Sequence, residues 1–365
     1  MKILMSGGGT GGHVFPGIAI AEAIRQIMPE SEIVFAGTSR GPESTVVPKY
    51  GFEFRTIRIS GFNRSNWKKN LTFPIELMKG LLDSWRILRA EKPDAVVATG
   101  GYVCGPVTWL AQRMGIPTFV QEQNAYAGFT SRLLGRGATR TFITYDISRR
   151  QFPSAIQDRI RCYGNPVRQS FPKVGKPEAA RSFGLSGKKR VILVIGGSLG
   201  AKSINLAVQS CYQYWLSEGW ELIWQTGKSG VDLPELSIDS MGSVWRQPFI
   251  DRMGEAYQAA DLVISRAGAT SLAEITVFGK PSVLVPYPWA ADDHQTANAK
   301  VLEAAGAAVL IPDQRADSDL RDTVIRLISQ KGQLEKMSAA SLKAGQPDAA
   351  KQIAQEIITV LNRET

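Results

Sequence analysis

Two glycine clusters sit at matching places in two similar halves of this chain. Gly7-Gly8-Gly9-Thr10-Gly11-Gly12-His13 follows the apolar run Lys2 to Met5, and Gly196-Gly197-Ser198-Leu199-Gly200-Ala201 follows Val191 to Ile195. A glycine loop that leads a strand into a helix presents bare backbone N–H groups and a positive helix end to an anion, usually a phosphate. His13 closes the first cluster and is one of two histidines. Beside such a loop an imidazole can accept a proton from a hydroxyl, although a capping or packing histidine would look the same. The second half also holds Ser265-Arg266-Ala267-Gly268-Ala269-Thr270-Ser271-Leu272-Ala273-Glu274. Small residues there leave room for a flat ring beside a helix start, and Glu274, one turn further, can accept hydrogen bonds from a ribose diol. Asp292 and Asp293 precede another helix, where N-capping is their plain role, Asp292 above all. No cluster has metal-ligand spacing.

The first loop satisfies G-x-G-x-x-G at Gly7, Gly9 and Gly12, which raises a dinucleotide site. Such a site also needs an acid roughly 20 residues on, at the end of the second strand. Here that strand runs out in Gly37-Thr38-Ser39-Arg40. The missing acid argues against a nicotinamide-dependent oxidoreductase, and the absence of Lys-Ser/Thr after either cluster excludes a P-loop.

The elements that must position these residues alternate. Ile33 to Ala36, Ala95 to Ala98, Thr118 to Val120 and Thr141 to Ile143 read as strands in the first half. Val191 to Ile195, Glu221 to Gln225, Leu262 to Ser265 and Ser282 to Val285 read as strands in the second. Helix-spaced runs, Ile18 to Ile27 and Ile204 to Tyr214 among them, fall between, so both halves predict βαβ units around a parallel sheet. Gly164-Asn165-Pro166 and Lys173 to Pro177 suit a domain connection. After Gly345-Gln346-Pro347 comes an amphipathic helix with apolar Ala350, Ile353, Ala354, Ile357, Ile358 and Leu361. By pattern alone it either closes its own domain or packs back on the first.

At 365 residues the chain has core enough for two domains, and its +10 charge favours anionic partners. No nucleic-acid module accompanies that charge. Cys104, Cys162 and Cys211 are odd in number and lack CxxC spacing, which predicts reduced thiols in a cytosolic setting. The first residues read as a strand rather than a secretory signal.

Seven motifs in series carry a resemblance. GGGTGGH, Gly100-Gly101-Tyr102, Gln121-Glu122-Gln123-Asn124, Gly164-Asn165-Pro166-Val167-Arg168, GGSLGA, SRAGATSLAE and DDHQTANA resemble the MurG family of N-acetylglucosaminyltransferases. The resemblance implies an α/β GT-B fold of two Rossmann-like domains, with the C-terminal helix packing back on the first. It implies an acceptor and membrane domain at 1–165 plus 347–365 and a UDP-GlcNAc domain at 166–346. It further implies inverting transfer from UDP-GlcNAc to the muramoyl C4 hydroxyl of lipid I, giving lipid II without metal or cofactor. By motif position Thr10, Gly11, Gly12, Asn124, Arg168, Ser198, Ile250, Ala269, Thr270, Ser271, Leu272, Ala273, Glu274 and Gln295 would contact UDP-GlcNAc. His13 is then the best-placed base, with Glu122 its rival, and Arg168 would meet the leaving charge. Another GT-B enzyme with a lipid acceptor is the alternative.

A lipid acceptor requires membrane contact. Arg64, Lys68, Lys69, Lys79, Arg86, Arg89 and Lys92 are interleaved with Leu71, Phe73, Ile75, Leu77, Leu81, Leu82 and Trp85. An apolar face ringed by cations can dip into an anionic leaflet, and an ordinary helix could equally bury that face. The resemblance favours peripheral association with the cytoplasmic face of the membrane, alongside other cell-wall synthesis proteins.

Overall fold

The computed structural model of the chain describes residues 1–61, 73–168, 171, 174–228, 233–237 and 240–364. It divides into two units, Met1–Gln169 with Gln346–Thr365, and Ser170–Gly345. Pro166, Val167 and Arg168 therefore stay with the first unit, and the predicted boundary before residue 166 moves.

The first unit carries β1 (Lys2–Ser6), β2 (Glu32–Gly37), β3 (Glu53–Thr56), β4 (Ala95–Ala98), β5 (Thr118–Glu122), β6 (Arg140–Ile143) and β7 (Ile160–Cys162). They form one sheet in the order β3-β2-β1-β4-β5-β6-β7, every pairing parallel. Its helices are α1 (Gly11–Ile27), α2 (Glu43–Lys49), α3 (Phe73–Glu91), α4 (Cys104–Arg113) and α5 (Phe129–Gly135). The second unit carries β8 (Arg190–Ile195), β9 (Trp220–Gln225), β10 (Val244–Gln247), β11 (Leu262–Ser265), β12 (Ser282–Leu284) and β13 (Ala308–Leu310). Their order is β10-β9-β8-β11-β12-β13, again all parallel. Around them lie α6 (Lys176–Arg181), α7 (Lys202–Ser217), α8 (Met253–Ala259), α9 (Ala269–Val277), α10 (His294–Ala304), α11 (Ala316–Ser329) and α12 (Gln333–Ala344).

Both sheets are doubly wound, and in each the strand order reverses beside the strand that leads into a glycine loop. The switch points fall between β1 and β4, and between β8 and β11. Connections there leave in opposite directions, so a crevice opens at the carboxyl ends of the strands. Helices cover both sheet faces, which is why Ile3, Leu4 and Met5, and likewise Ile192, Leu193 and Val194, are apolar without alternation and fully buried. All nine predicted strands form. The four that sequence reading misses, β3, β7, β10 and β13, are the four sheet edges. Edge strands are short and half solvated, and they leave no long apolar run.

The last helix, α13 (Ala349–Glu364), belongs to the first unit and packs on α1. Ala350, Ile353, Ala354 and Ile357 are fully buried in the cluster that holds Ile20 and Ile24. Glu356 pairs with Arg140 at 3.0 Å and Arg161 at 3.7 Å. The apolar stripe thus serves the first core.

Helix α3 is held by charge on its inner side. Arg58 donates to both carboxylate oxygens of Asp83, at 2.8 and 2.7 Å, and its backbone N–H adds a third bond at 3.0 Å. Glu91 pairs with Lys2 at 2.8 Å and Arg55 at 2.6 Å. The Arg58 side chain draws the Asp83 carboxyl below its ordinary range, and the Lys2 ammonium, then Arg55, do the same to Glu91. Folded carboxyls with lowered pKa contribute stability above the unfolded-state values, and that contribution is lost as pH falls through the folded ones. We expect unfolding free energy from urea titrations to decline below about pH 4.5, near the free glutamate value. Asp83→Asn with Glu91→Gln should flatten part of that decline; an unchanged slope in the double variant would show that these pairs do not contribute.

Candidate active site

The first glycine loop leaves the end of β1 and enters α1 with Thr10 in extended conformation and no side-chain cap. Across the switch point, the end of β4 meets the first turn of α1. The His13 ring places Nδ1 3.2 Å from the Thr99 carbonyl oxygen, and Thr99 Oγ1 donates back to the His13 carbonyl at 2.8 Å. A carbonyl can only accept, so Nδ1 carries the proton and the basic lone pair belongs to Nε2. The ring lies close against Gly100, whose φ is +101° and where a Cβ would come within 2.5 Å of Nδ1. Only glycine leaves room there.

Residues absent from the predicted site hold this arrangement. Gln123 donates from Nε2 to the same Thr99 carbonyl and to Gln121 Oε1. Gln121 in turn donates to Asn165 Oδ1 at 3.3 Å. Beneath the loop, Glu43 is fully buried and accepts from the Gly9 N–H at 3.0 Å, the Thr38 N–H at 3.0 Å and the Thr38 hydroxyl at 2.7 Å. It ties the loop to the chain after β2. Thr99 stood beside a quoted motif and Gln123 inside one, but nothing local marks Glu43.

Glu122, the rival base, is committed elsewhere. It is buried, with Oε1 accepting from the N–H and side-chain amide of Asn124 at 2.9 and 3.0 Å and Oε2 from the Gly128 N–H at 3.0 Å. Those donors make it the pin of the loop between β5 and α5, and they hold Asn124 in place. Arg168 lies in the first unit, with Nη1 donating to the Tyr50 hydroxyl at 2.6 Å and its guanidinium 4.7 Å from the Phe15 ring centroid.

In the second unit, Gln225 at the end of β9 ties the second loop to the chain after β10. Its Nε2 donates to the Gly197 carbonyl at 2.9 Å, and its Oε1 accepts the Ile250 N–H at 3.0 Å. Ile250 itself is buried in the core of the second unit. Ser198 stands exposed at the loop tip. Helix α9 starts at Gly268 without a side-chain cap, so the first-turn N–H groups near Ala269, Thr270 and Ser271 face outward from the helix end. Leu272 is fully buried in the core, which rules out a side-chain contact with ligand. Ala273 is half-buried. Glu274 is only 7% exposed and accepts from the Tyr257 hydroxyl at 3.1 Å.

Arg266 is spent structurally. It donates to the carbonyls of Val285 and Pro286 at 3.0 and 3.1 Å, to Ser203 at 3.0 Å, and pairs with Asp313. Gln295 accepts from the Tyr287 N–H at 3.0 Å. Neither aspartate caps α10 as expected. The residue before His294 is Asp293, with left-handed backbone and no side-chain cap, and Asp292 lies in the preceding turn.

Comparison with known proteins extends the picture. The glycosyltransferase family 28 N-terminal domain matches residues 3–143 and the family 28 C-terminal domain matches residues 191–353. The chain is 40% identical, over 100% of its length and 99% of the relative, to the UDP-N-acetylglucosamine--N-acetylmuramyl-(pentapeptide) pyrophosphoryl-undecaprenol N-acetylglucosamine transferase of Parabacteroides distasonis. It is 42% identical to the Salinibacter ruber protein of the same name, covering 99% and 97% of the two chains. Among solved structures, Acinetobacter baumannii MurG aligns with a TM-score of 0.73 at 28% identity, covering 98% and 99% of the chains.

Proposed function

The chain belongs to the MurG family of N-acetylglucosamine transferases within glycosyltransferase family 28, and on that membership we propose its reaction and the residues that perform it. It moves N-acetylglucosamine from UDP-GlcNAc to the C4 hydroxyl of the muramoyl sugar of lipid I, undecaprenyl-pyrophosphoryl-MurNAc-pentapeptide, with inversion. The observation that carries the assignment of chemistry is the His13 Nδ1–H bond to Thr99. It keeps Nε2 as the basic nitrogen at a switch point, where open α/β sheets present ligands. In the reaction Nε2 takes the C4 hydroxyl proton as that oxygen bonds to the anomeric carbon. The bond from that carbon to UDP breaks, and its electron pair leaves on the diphosphate.

Stabilising that charge falls to the second unit. The N–H groups at the starts of α7 and α9 supply positive helix ends, and neither Ala201 nor Gly268 caps its helix with a side chain. Glu274 takes ribose hydroxyls beside the Tyr257 hydroxyl, and the Ile250 carbonyl suits a base N–H. Glu43 and Glu122 act by shaping loops.

Lipid I is delivered at a membrane. Among the described residues no helix is long and apolar enough to cross one. Helix α3 instead presents Ile75, Met78, Leu82 and Trp85 in one stripe at 58, 66, 45 and 44% exposure, while Gly80, Asp83, Ser84 and Leu88 face inward. Lys79, Arg86 and Arg89 flank the stripe, with the Arg89 guanidinium 5.3 Å from the Trp85 ring centroid. On α4, which packs beside α3, Trp109 is exposed under Arg113. Arg64, Lys68, Lys69 and Leu71 lie outside the described residues. An exposed apolar stripe with a cationic border supports peripheral binding to an anionic leaflet on its cytoplasmic face.

Transfer of labelled GlcNAc to a lipid I analogue tests the reaction. His13→Ala should lower kcat about 10²–10⁴-fold with little change in donor affinity, and should erase the acid-side fall in activity that protonation of a base produces. A variant that keeps turnover or that limb reduces His13 to a loop residue. Glu274→Gln keeps an acceptor for Tyr257 and should weaken UDP-GlcNAc binding by roughly 1.5–3 kcal/mol by calorimetry; Glu274→Ala should add a stability loss, because the buried Tyr257 hydroxyl loses this acceptor. Wild type should pellet with anionic vesicles and come off as salt shortens screening to about 8 Å near 0.15 M. Lys79, Arg86 and Arg89 changed to Glu should abolish pelleting and spare UDP binding; pelleting indifferent to charge and salt would refute the electrostatic docking.

A further inference from the structure

We infer that Lys228 is a cation of the donor diphosphate site; the inference rests on the reading that the second glycine loop holds UDP-GlcNAc. Departure of UDP needs positive charge beside the loop. Arg266 is neutralised by Asp313 and bound to two carbonyls. Lys228 is different. Its backbone N–H donates to the Ser198 carbonyl at 3.2 Å, which joins it directly to the loop tip. The side chain is exposed, and Nζ stands 5.5 Å from the centroid of Phe249, the residue before Ile250. Lys228 thus joins the loop proposed for phosphate through its backbone and reaches toward the residue before the one proposed for the base through its side chain. Among the described residues no carboxylate pairs with it.

The backbone beneath Lys228 is built to keep it there. Gly227, at φ +90°, is pressed so closely on Gly200 and Leu199 that a Cβ could not fit. Its N–H donates to the Pro248 carbonyl at 3.0 Å, as the Thr226 N–H does to Gln247 at 3.0 Å. Buried Asn205 accepts from Trp224 Nε1 at 3.0 Å and donates to the Thr226 carbonyl at 2.7 Å, so α7 holds the same strand exit. A lysine on such a support offers a charge-assisted bond to a phosphate oxygen with its backbone already ordered.

The test measures uridine, UMP and UDP binding to the full-length wild type, Lys228→Met and Lys228→Arg by calorimetry at low and high salt. Lys228→Met should weaken UDP roughly ten- to a hundredfold, the span of one hydrogen bond to a charged group. It should leave uridine unchanged and lower the salt sensitivity of UDP binding, while Lys228→Arg retains most of the affinity. Wild-type UDP affinity in Lys228→Met overturns the inference alone. Equal losses for uridine and UDP also overturn it, since Lys228 would then act by shaping the pocket around Phe249. A wild type that binds neither ligand overturns the donor reading and the inference with it.

Discussion

One close approach governs the first unit: an imidazole lying against bare backbone. The His13 ring reaches the Thr99 carbonyl only because Gly100 carries no side chain, and that carbonyl decides which ring nitrogen is basic. The rest of the unit converges on that peptide. Strand β4 supplies the carbonyl, α1 supplies the ring, and Gln123 at the end of β5 steadies the acceptor from behind. The strand order makes this meeting unavoidable, since β1 and β4 are neighbours at the point where the sheet reverses.

The two glycine loops look alike in type but differ in what lies beneath them. Under the first, Glu43 places a buried carboxylate against the Gly9 N–H. With the Gly9 N–H already taken by that side chain, this part of the loop has less to offer a phosphate and is suited to presenting a base. Under the second, the supporting side chain is the neutral amide of Gln225. An amide satisfies backbone groups without adding charge, so the positive helix end of α7 remains available to an anion. The same strand–loop–helix unit is thereby turned to two chemical tasks by the residue under it.

Much of this was legible from residue order because both sheets are covered on both faces, so interior strands read as unbroken apolar runs. The edge strands lacked that signal. The stripe on α13 revealed a buried face without revealing whose core it fills, since periodicity carries no information about distant partners. The site was legible in part for the same reason. His13, Ser198 and the Ala269–Glu274 run announce themselves by local spacing. Glu43, Gln225 and Thr99 join segments far apart in sequence through a few hydrogen bonds, and those leave no periodic trace.

The placement of α13 has a consequence for how the molecule is made. Translation delivers β1 and α1 first, yet the surface of α1 that receives Ile353 and Ile357 stays uncovered until the ribosome has passed residue 361. The second unit, continuous from 170 to 345, emerges whole in the interval and can close its own core before the first is complete. The earlier-synthesised unit is therefore the later one to finish. During that delay the nascent chain carries on α1 the apolar surface that α13 later covers.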